Sequence, residues 1–290
     1  MKKVGSPVGV VVVTFILAMA VISNLDAIGK KWYSDGSLVP SIACFEAFCS
    51  IESVLGVKSD RLAQAWAELA HVYSKVPRYR DAVRAEEQAV KLRTELLGDD
   101  DPTVLILRAH LGEYLAQQKK YAQADEYLAK TLKQAYSAKM PEPISKAYIL
   151  EAQAKSFMLQ KRWRDAEAAA FQLIPIDDRL MARGRSGFDG RELIAEIYAK
   201  SGRTLEALQI AQESLSAKEK QLKGSNISLA IAHETIGKVL ILTKQSDAAD
   251  SEFKSAYSLL QKEYANDNER LQYWKSRYSH LLTEPAPFEN

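Results

Sequence analysis

The hydrophobic pattern of this chain repeats. A small residue stands at Ala70, Gly112, Ala154, Ala195 and Gly237, each preceded by Leu69, Leu111, Gln153, Ile194 or Ile236. Three positions after each small residue comes a large one: Tyr73, Leu115, Phe157, Tyr198 and Leu240. Twelve positions after it comes an alanine, at Ala82, Ala124, Ala166, Ala207 and Ala249, with spacings of 42, 42, 41 and 42. Tyr79, Tyr121 and Trp163 fill a further column, which lapses to Thr204 and Ser246. A period near forty residues is the sequence signature of a repeat architecture.

The spacing predicts the repeating unit. Large-small-x-x-large at helical steps places a bulky ridge beside a hole on a first helix, A. The later alanine lets a second helix, B, approach closely where the two cross. Breaks fall between them at Val76-Pro77, Gln118-Lys119, Gln160-Lys161, Ser201-Gly202 and Thr243-Lys244. Proline cannot continue a helix and glycine is a favoured stop. One helix pair cannot bury both its faces, so pairs must stack, and the expected fold is an all-α solenoid. Shifting the register by one repeat at either end predicts caps. Pro40 to Leu55 reads as an orphan helix B, and Glu269 to Leu282 as an orphan helix A with Leu271, Trp274, Tyr278 and Leu281 on its apolar stripe. The expected organisation is a leader over 1–27, a linker and capping helix over 28–58, five helix pairs over 59–260, and a capping helix and tail over 261–290.

The leader changes the picture of where the protein works. Lys2 and Lys3 precede an apolar run from Val8 to Ile22, and no charge occurs from Gly5 to Leu25. The 15-residue run suits a secretory signal and the 21-residue uncharged stretch is just long enough to span a bilayer. Ala18-Met19-Ala20 offers a cleavage site and Ala27 a second, so a cleaved signal and a retained N-terminal hydrophobic helix both stand. Either way, the lysines favour the cytoplasmic side, which predicts an extracytoplasmic body, periplasmic or secreted, with any anchor within residues 5–25.

Composition excludes several classes. With 47% hydrophobic residues the chain can build a continuous core. Lysine plus arginine is 39 against 37 acidic residues, with no clustered basic stripe, so no nucleic-acid partner is expected. The two cysteines, Cys44 and Cys49, are five apart. On one continuous helix that spacing exceeds a disulfide's reach, which favours a core thiol at Cys44, with a bridge as the alternative.

From about Asp60 to Leu260 the columns resemble the tetratricopeptide repeat, most closely in Trp66, Leu69, Ala70, Tyr73, Tyr79, Ala82 and Ala89. The longer period resembles the kinesin-light-chain type, as does Arg93-Thr94-Glu95-Leu96-Leu97-Gly98 followed by Pro102 and Ala109. Asp101, where that variant prefers histidine, and Glu86, in an apolar helix-B column, depart from the pattern. The resemblance implies a right-handed α-solenoid whose A helices line a concave groove for a protein or peptide partner. Projected onto this sequence, the groove columns read His71, Glu113, Lys155, Glu196 and Lys238; then Ser74, Ala116, Met158, Ala199 and Ile241; then Gln64, Ile106, Tyr148, Asp189 and Ile231; and Ala67, Ala109, Glu151, Glu192 and Glu234. The expected partner-binding residues are His71, Ile106, Glu113, Tyr148, Glu151, Lys155, Met158 and Glu196. The lysine-asparagine-arginine clamp of chaperone-binding members is absent, with Ala67, His71 and His110 at its first positions.

Chemical motifs are sparse. His233-Glu234 begins a zincin pattern, but Gly237 occupies the second ligand position. Gly237-Lys238 lacks the rest of a phosphate loop, no nucleophile elbow is present, and the cysteines have no histidines at metal spacing. No catalytic residue, metal or cofactor is expected. Pro175 to Gly190, with Arg183-Gly184-Arg185-Ser186-Gly187, is the most irregular stretch, a docking loop or a plain linker. The expectation is a non-enzymatic interaction scaffold; the alternative is a structural spacer or oligomerisation element.

Overall fold

A computed structural model describes residues 24–137, 143–181, 189–221 and 226–264, together with Leu271, Trp274, Lys275 and Tyr278. Among these, every regular element is an α-helix. The leader run Val8–Ile22, the Arg183–Gly187 stretch and most of the C-terminal cap lie outside the described residues. Among the described residues no helix is long and apolar enough to cross a membrane. The chain divides into two compact units, Met1–Leu107 and Arg108–Asn290.

In the first unit, α1 (Leu25–Ser34) packs on α2 (Leu38–Val54), α2 on α3 (Asp60–Lys75), and α3 on α4 (Tyr79–Leu97). The predicted orphan helix over 40–55 is therefore not alone, because α1 pairs with it. The reason is local. Asp26, Gly29 and Tyr33 form a stripe at helical spacing that fits α2 and α3. Gly29 lets the Phe45 ring come so close that a Cβ there would stand 3.1 Å from it. Both cysteines lie on α2 as free thiols. Cys49 is the fully buried one and Cys44 is half-buried, reversing the expectation for the core thiol. Helix α5 (Pro102–Gln117) begins in this unit, with Pro102 in its first turn, where a missing N–H costs nothing.

The second unit contains α6 (Tyr121–Ser137), α7 (Pro143–Leu159), α8 (Trp163–Phe171), α9 (Ile174–Met181), α10 (Gly190–Lys200), α11 (Thr204–Gln221), α12 (Asn226–Leu242) and α13 (Ser246–Glu263). Helix α7 packs on α6 and α8, α10 on α8, α11 and α12, and α12 on α11 and α13. The third helix B ends early, at Phe171, and the chain re-forms a helix, α9, with Pro175 in its first turn. Leu271, Trp274 and Tyr278 pack against the core of the last pair, as the cap's apolar stripe predicts, whereas Leu281 lies outside the described residues.

The column residues occupy the places that the spacing assigns them. Ala82, Ala124, Ala166, Ala207 and Ala249 are all fully buried. Helix A ends the same way in all five pairs. The carbonyls of Tyr73, Leu115, Phe157, Tyr198 and Leu240 accept from the N–H of Arg78, Lys120, Arg162, Arg203 and Gln245, at 2.8 to 3.0 Å. That six-to-one bond closes a Schellman turn, which needs a left-handed residue just before it. Lys119, Lys161, Gly202 and Lys244 supply it, with φ between 57° and 86°, and in the first pair Pro77 stands there with φ 25°.

Three of these turns carry an arginine clasp. A guanidinium lies over the ring of the large column residue: Arg78 over Tyr73 at 4.4 Å, Arg162 over Phe157 at 4.4 Å, and Arg203 over Tyr198 at 3.7 Å. Each arginine also bonds an acid three residues on, at Asp81, Asp165 or Glu206. Each further reaches a carboxylate of the preceding helix B: Glu46, Asp125 or Glu167. The clasp ties the turn within a pair to the neighbouring pair.

Candidate functional site

The charged columns meet on the A helices of the second unit. Lys155 lies one turn after Glu151 on α7, and its Nζ is 2.9 Å from that carboxylate. It also stands 3.5 Å from Glu113 Oε2 on α5. Burial pulls the Lys155 pKa down, but Glu113, Glu151 and Glu196 outweigh it and leave the pKa raised, so the ammonium persists at neutral pH. Glu196 itself is held by Lys200 at 2.6 Å. The structure therefore brings Glu113, Glu151, Lys155 and Glu196 into one electrostatic row.

Tyr148, two turns before Lys155, is half-buried and meets His110 edge to face at 5.5 Å between centroids. His110 in turn lies 6.5 Å from Tyr114. Burial, with help from Glu151, raises the Tyr148 phenol pKa, so it remains a neutral donor. An aromatic group with a polar tip thus stands beside the ion row. Such a group suits a surface that is wet on one side and covered on the other.

A second charged cluster lies deeper, around the start of α10. Asp189 caps that helix, accepting from the N–H of Arg191 at 2.9 Å and of Glu192 at 3.2 Å. Its other oxygen accepts from Ser214 at 2.5 Å and faces Lys218 Nζ at 3.0 Å. Lys218 also donates to Glu192 at 2.6 Å. Burial pushes Glu192 up to about 7, with Lys218 opposing and Asp189 adding to the shift. One ammonium sits between two carboxylates, and backbone N–H groups bond Asp189 as well. Lys238 bonds Glu234 at 2.5 Å in the next pair.

Of the remaining expected partner-binding residues, Ile106 and His71 are half-buried in the first unit, while Met158 does not face outward as projected. His71 Nε2 lies 2.8 Å from the Tyr33 hydroxyl on α1. That helix was not foreseen, and it covers the imidazole. Met158 is buried in the core with Ala154, Ala166 and Leu173. Ala116 and Ala199 in its column are buried as well. Three of the five positions in this column are therefore core, and Ser74 and Ile241 are half-buried. Sequence reasoning missed Lys218, which reaches the A-helix carboxylates from a B helix. Its only sequence signal is a lysine in the last turn of α11, and that is common. Among the described residues no group of three or more His, Cys, Asp or Glu is placed to hold a metal ion.

Comparison with known proteins adds the following. Residues 51–137 match the family model described as Tetratricopeptide repeat. No curated protein matches the sequence. Among solved structures, a Rap protein complexed with competence and sporulation factor is similar over 90% of this chain and 76% of its own. It has 13% identity and a TM-score of 0.57. The nearly identical TPR-like repeats of a protein described as a kinesin light chain from Podosopora anserina are 16% identical. They cover 72% of this chain and 99% of their own, with a TM-score of 0.48. BtubC from P. vanneervenii is 17% identical over 80% of this chain and 91% of its own, with a TM-score of 0.46.

Proposed function

We propose that this chain, a tetratricopeptide-repeat protein, is a non-enzymatic scaffold that holds a segment of a partner protein against the A-helix face of residues 108–290. The observation that carries the reading is Tyr148 set beside the Glu113–Lys155–Glu151 row. A half-exposed aromatic held edge-on by His110 is a preorganised anchor. The flanking ions are already paired with one another, so they supply register and selectivity rather than bulk affinity. Glu196 extends the row, and Ile106 is the matching position in the first unit. His71, bonded to Tyr33, and Met158, in the core, drop out of the binding set. The Rap protein with the same fold is complexed with competence and sporulation factor, which supports a bound partner as the working state of this architecture.

The reading includes an extracytoplasmic location, with Val8–Ile22 either removed or kept as an anchor. Lys2 and Lys3 before that run support it. Protease accessibility of the body in spheroplasts tests the side, and the N-terminal peptide of the mature protein tests cleavage. Crosslinking in the native host followed by mass spectrometry tests the scaffold. Loss of a central aromatic anchor costs about 2 kcal/mol or more, so Tyr148→Ala should weaken capture of the crosslinked partner some thirtyfold with helicity unchanged. Lys155→Glu should change which partners are captured. Identical partner sets for wild type and both variants would reject the face as the binding site.

A further inference from the structure

Helix α1 has one face that is fully committed and one that stays exposed. On the committed face, Asp26 is held by Arg61 through two bonds, one of them Nε to Oδ2 at 3.0 Å. The Gly29 carbonyl accepts from Ser41 Oγ at 2.8 Å while the Phe45 ring lies against its Cα. Tyr33 meets His71. Positions 26, 29 and 33 form one helical stripe, so these ties fix the rotation of α1 about its axis. The rotation points Ile28, Lys31 and Trp32 outward together, with Lys30 beside them, and all four are exposed. Ile28 is 40% and Trp32 42% exposed, two large apolar side chains one turn apart with lysines at their edge. Each still leaves about two-fifths of its surface open to solvent on this side of the helix.

The chain upstream says what could cover this face. The apolar run ends at Ile22, and only Ser23 and Asn24 separate it from Leu25, where α1 starts. Three residues span at most roughly 10 Å when extended, so α1 cannot leave the neighbourhood of whatever holds the run. Tryptophan at the level of lipid headgroups, an aliphatic side chain below it and lysines toward anionic phosphates make the usual composition of an interfacial helix.

We propose that the outward face of α1, with Ile28, Lys31 and Trp32, lies in the headgroup region of the bilayer that anchors Val8–Ile22. The surface would set the body of the protein at a defined orientation to the membrane rather than leave it on a free tether. This rests on the retained-anchor reading of the leader given above.

The test uses the full chain reconstituted in phosphatidylcholine vesicles containing phosphatidylglycerol and lipids brominated just below the headgroup. Vesicle flotation reads anchoring, and quenching of tryptophan emission reads the surface contact. The expected result is flotation with a lipid-quenchable component that Trp32→Phe removes, while Trp66, Trp163 and Trp274 stay unquenched. Lys30→Glu with Lys31→Glu should reduce the quenching in proportion to phosphatidylglycerol content. Flotation with no quenching, or quenching unchanged by Trp32→Phe, would overturn the surface contact and leave the anchor standing. Failure of the chain to float would overturn the anchor reading and this proposal with it. Circular dichroism of each variant checks that the helices persist.

Discussion

Replacing Gly237 by alanine sets two effects against each other, and the structure decides the sign. Three of the five pairs already carry alanine in this column, and alanine is favoured over glycine inside a helix by about 1 kcal/mol. On that ground Gly237→Ala should stabilise α12. The neighbouring helix says otherwise. A Cβ at Gly237 would stand 2.6 Å from Phe253 Cε1 and 2.9 Å from Cζ. Ordinary contact begins at 3.4 Å, so the ring would have to retreat by roughly 0.8 Å. Phe253 has little room to do so, being 2% exposed and stacked on Tyr278 with centroids 5.3 Å apart and planes 14° from parallel. Overpacking of a fixed core typically costs about 1–3 kcal/mol, and with the ring pinned the upper half of that range applies. Net destabilisation of about 1–2 kcal/mol is expected. In a Phe253→Ala background the obstacle is gone and the same substitution should stabilise by about 1 kcal/mol, giving a coupling of about 2–3 kcal/mol. The native Ala154 and Ala195, opposite Ala170 and Ala211, show that the alanine pairing is compatible with the repeat. Because stacked repeats open locally, the measurement is hydrogen exchange of peptides from α12 and α13, read as opening free energies in both backgrounds. Greater protection of α12 in Gly237→Ala with Phe253 intact, or the same shift in both backgrounds, would refute the reasoning.

Other consequences follow from the same contacts. Arg162→Ala removes ion pairs to Asp125 and Asp165 and the stack on Phe157; because the guanidinium is about half exposed, the pairs are screened, and a loss of about 1–2 kcal/mol is expected in urea unfolding, with Arg162→Lys recovering only part. Asp177 is buried with one oxygen bonded to Gly190 N–H at 2.5 Å, and burial pushes its pKa up to about 7. The folded state then holds a proton that the unfolded state releases above its ordinary value of 3.8. Stability contributed by this group should therefore be present at pH 4 and decline up to about pH 7, by a few kcal/mol at most. Asp177→Asn should flatten that slope and raise the melting temperature at pH 8; an unchanged slope would show that another group titrates. Lys218→Met leaves Asp189 and Glu192 buried without their shared cation and should cost about 3–5 kcal/mol, whereas Lys254→Met, whose ion pair with Asp250 is exposed on both sides, should cost under about 1 kcal/mol. Thermal unfolding of the two variants side by side checks the contrast.

Much of the fold was legible without coordinates because close helix crossing leaves a mark that composition alone cannot. Only a methyl-sized side chain fits at the buried sites of Ala82, Ala124, Ala166, Ala207 and Ala249, so the chain must return to alanine at each of them. The breaks between helices A and B were legible for a similar reason, since a left-handed residue must end helix A before B can turn back. A complementary column was also present and is recognisable once the pairing is known. Glycine at 112 and 237 stands opposite Leu128 and Phe253, while alanine at 154 and 195 stands opposite alanine.

The sequence by itself determined the repeating helices, their pairing and the burial of their crossing points, because these depend on spacing along one chain and on side-chain volume. Tertiary structure decided what lies over each face. It placed α1 across His71, turned Met158 inward, and sent Lys218 from a B helix to carboxylates on an A helix. Spacing could not reveal these, since each depends on a side chain's reach and on the rotation of a helix set by contacts with other helices.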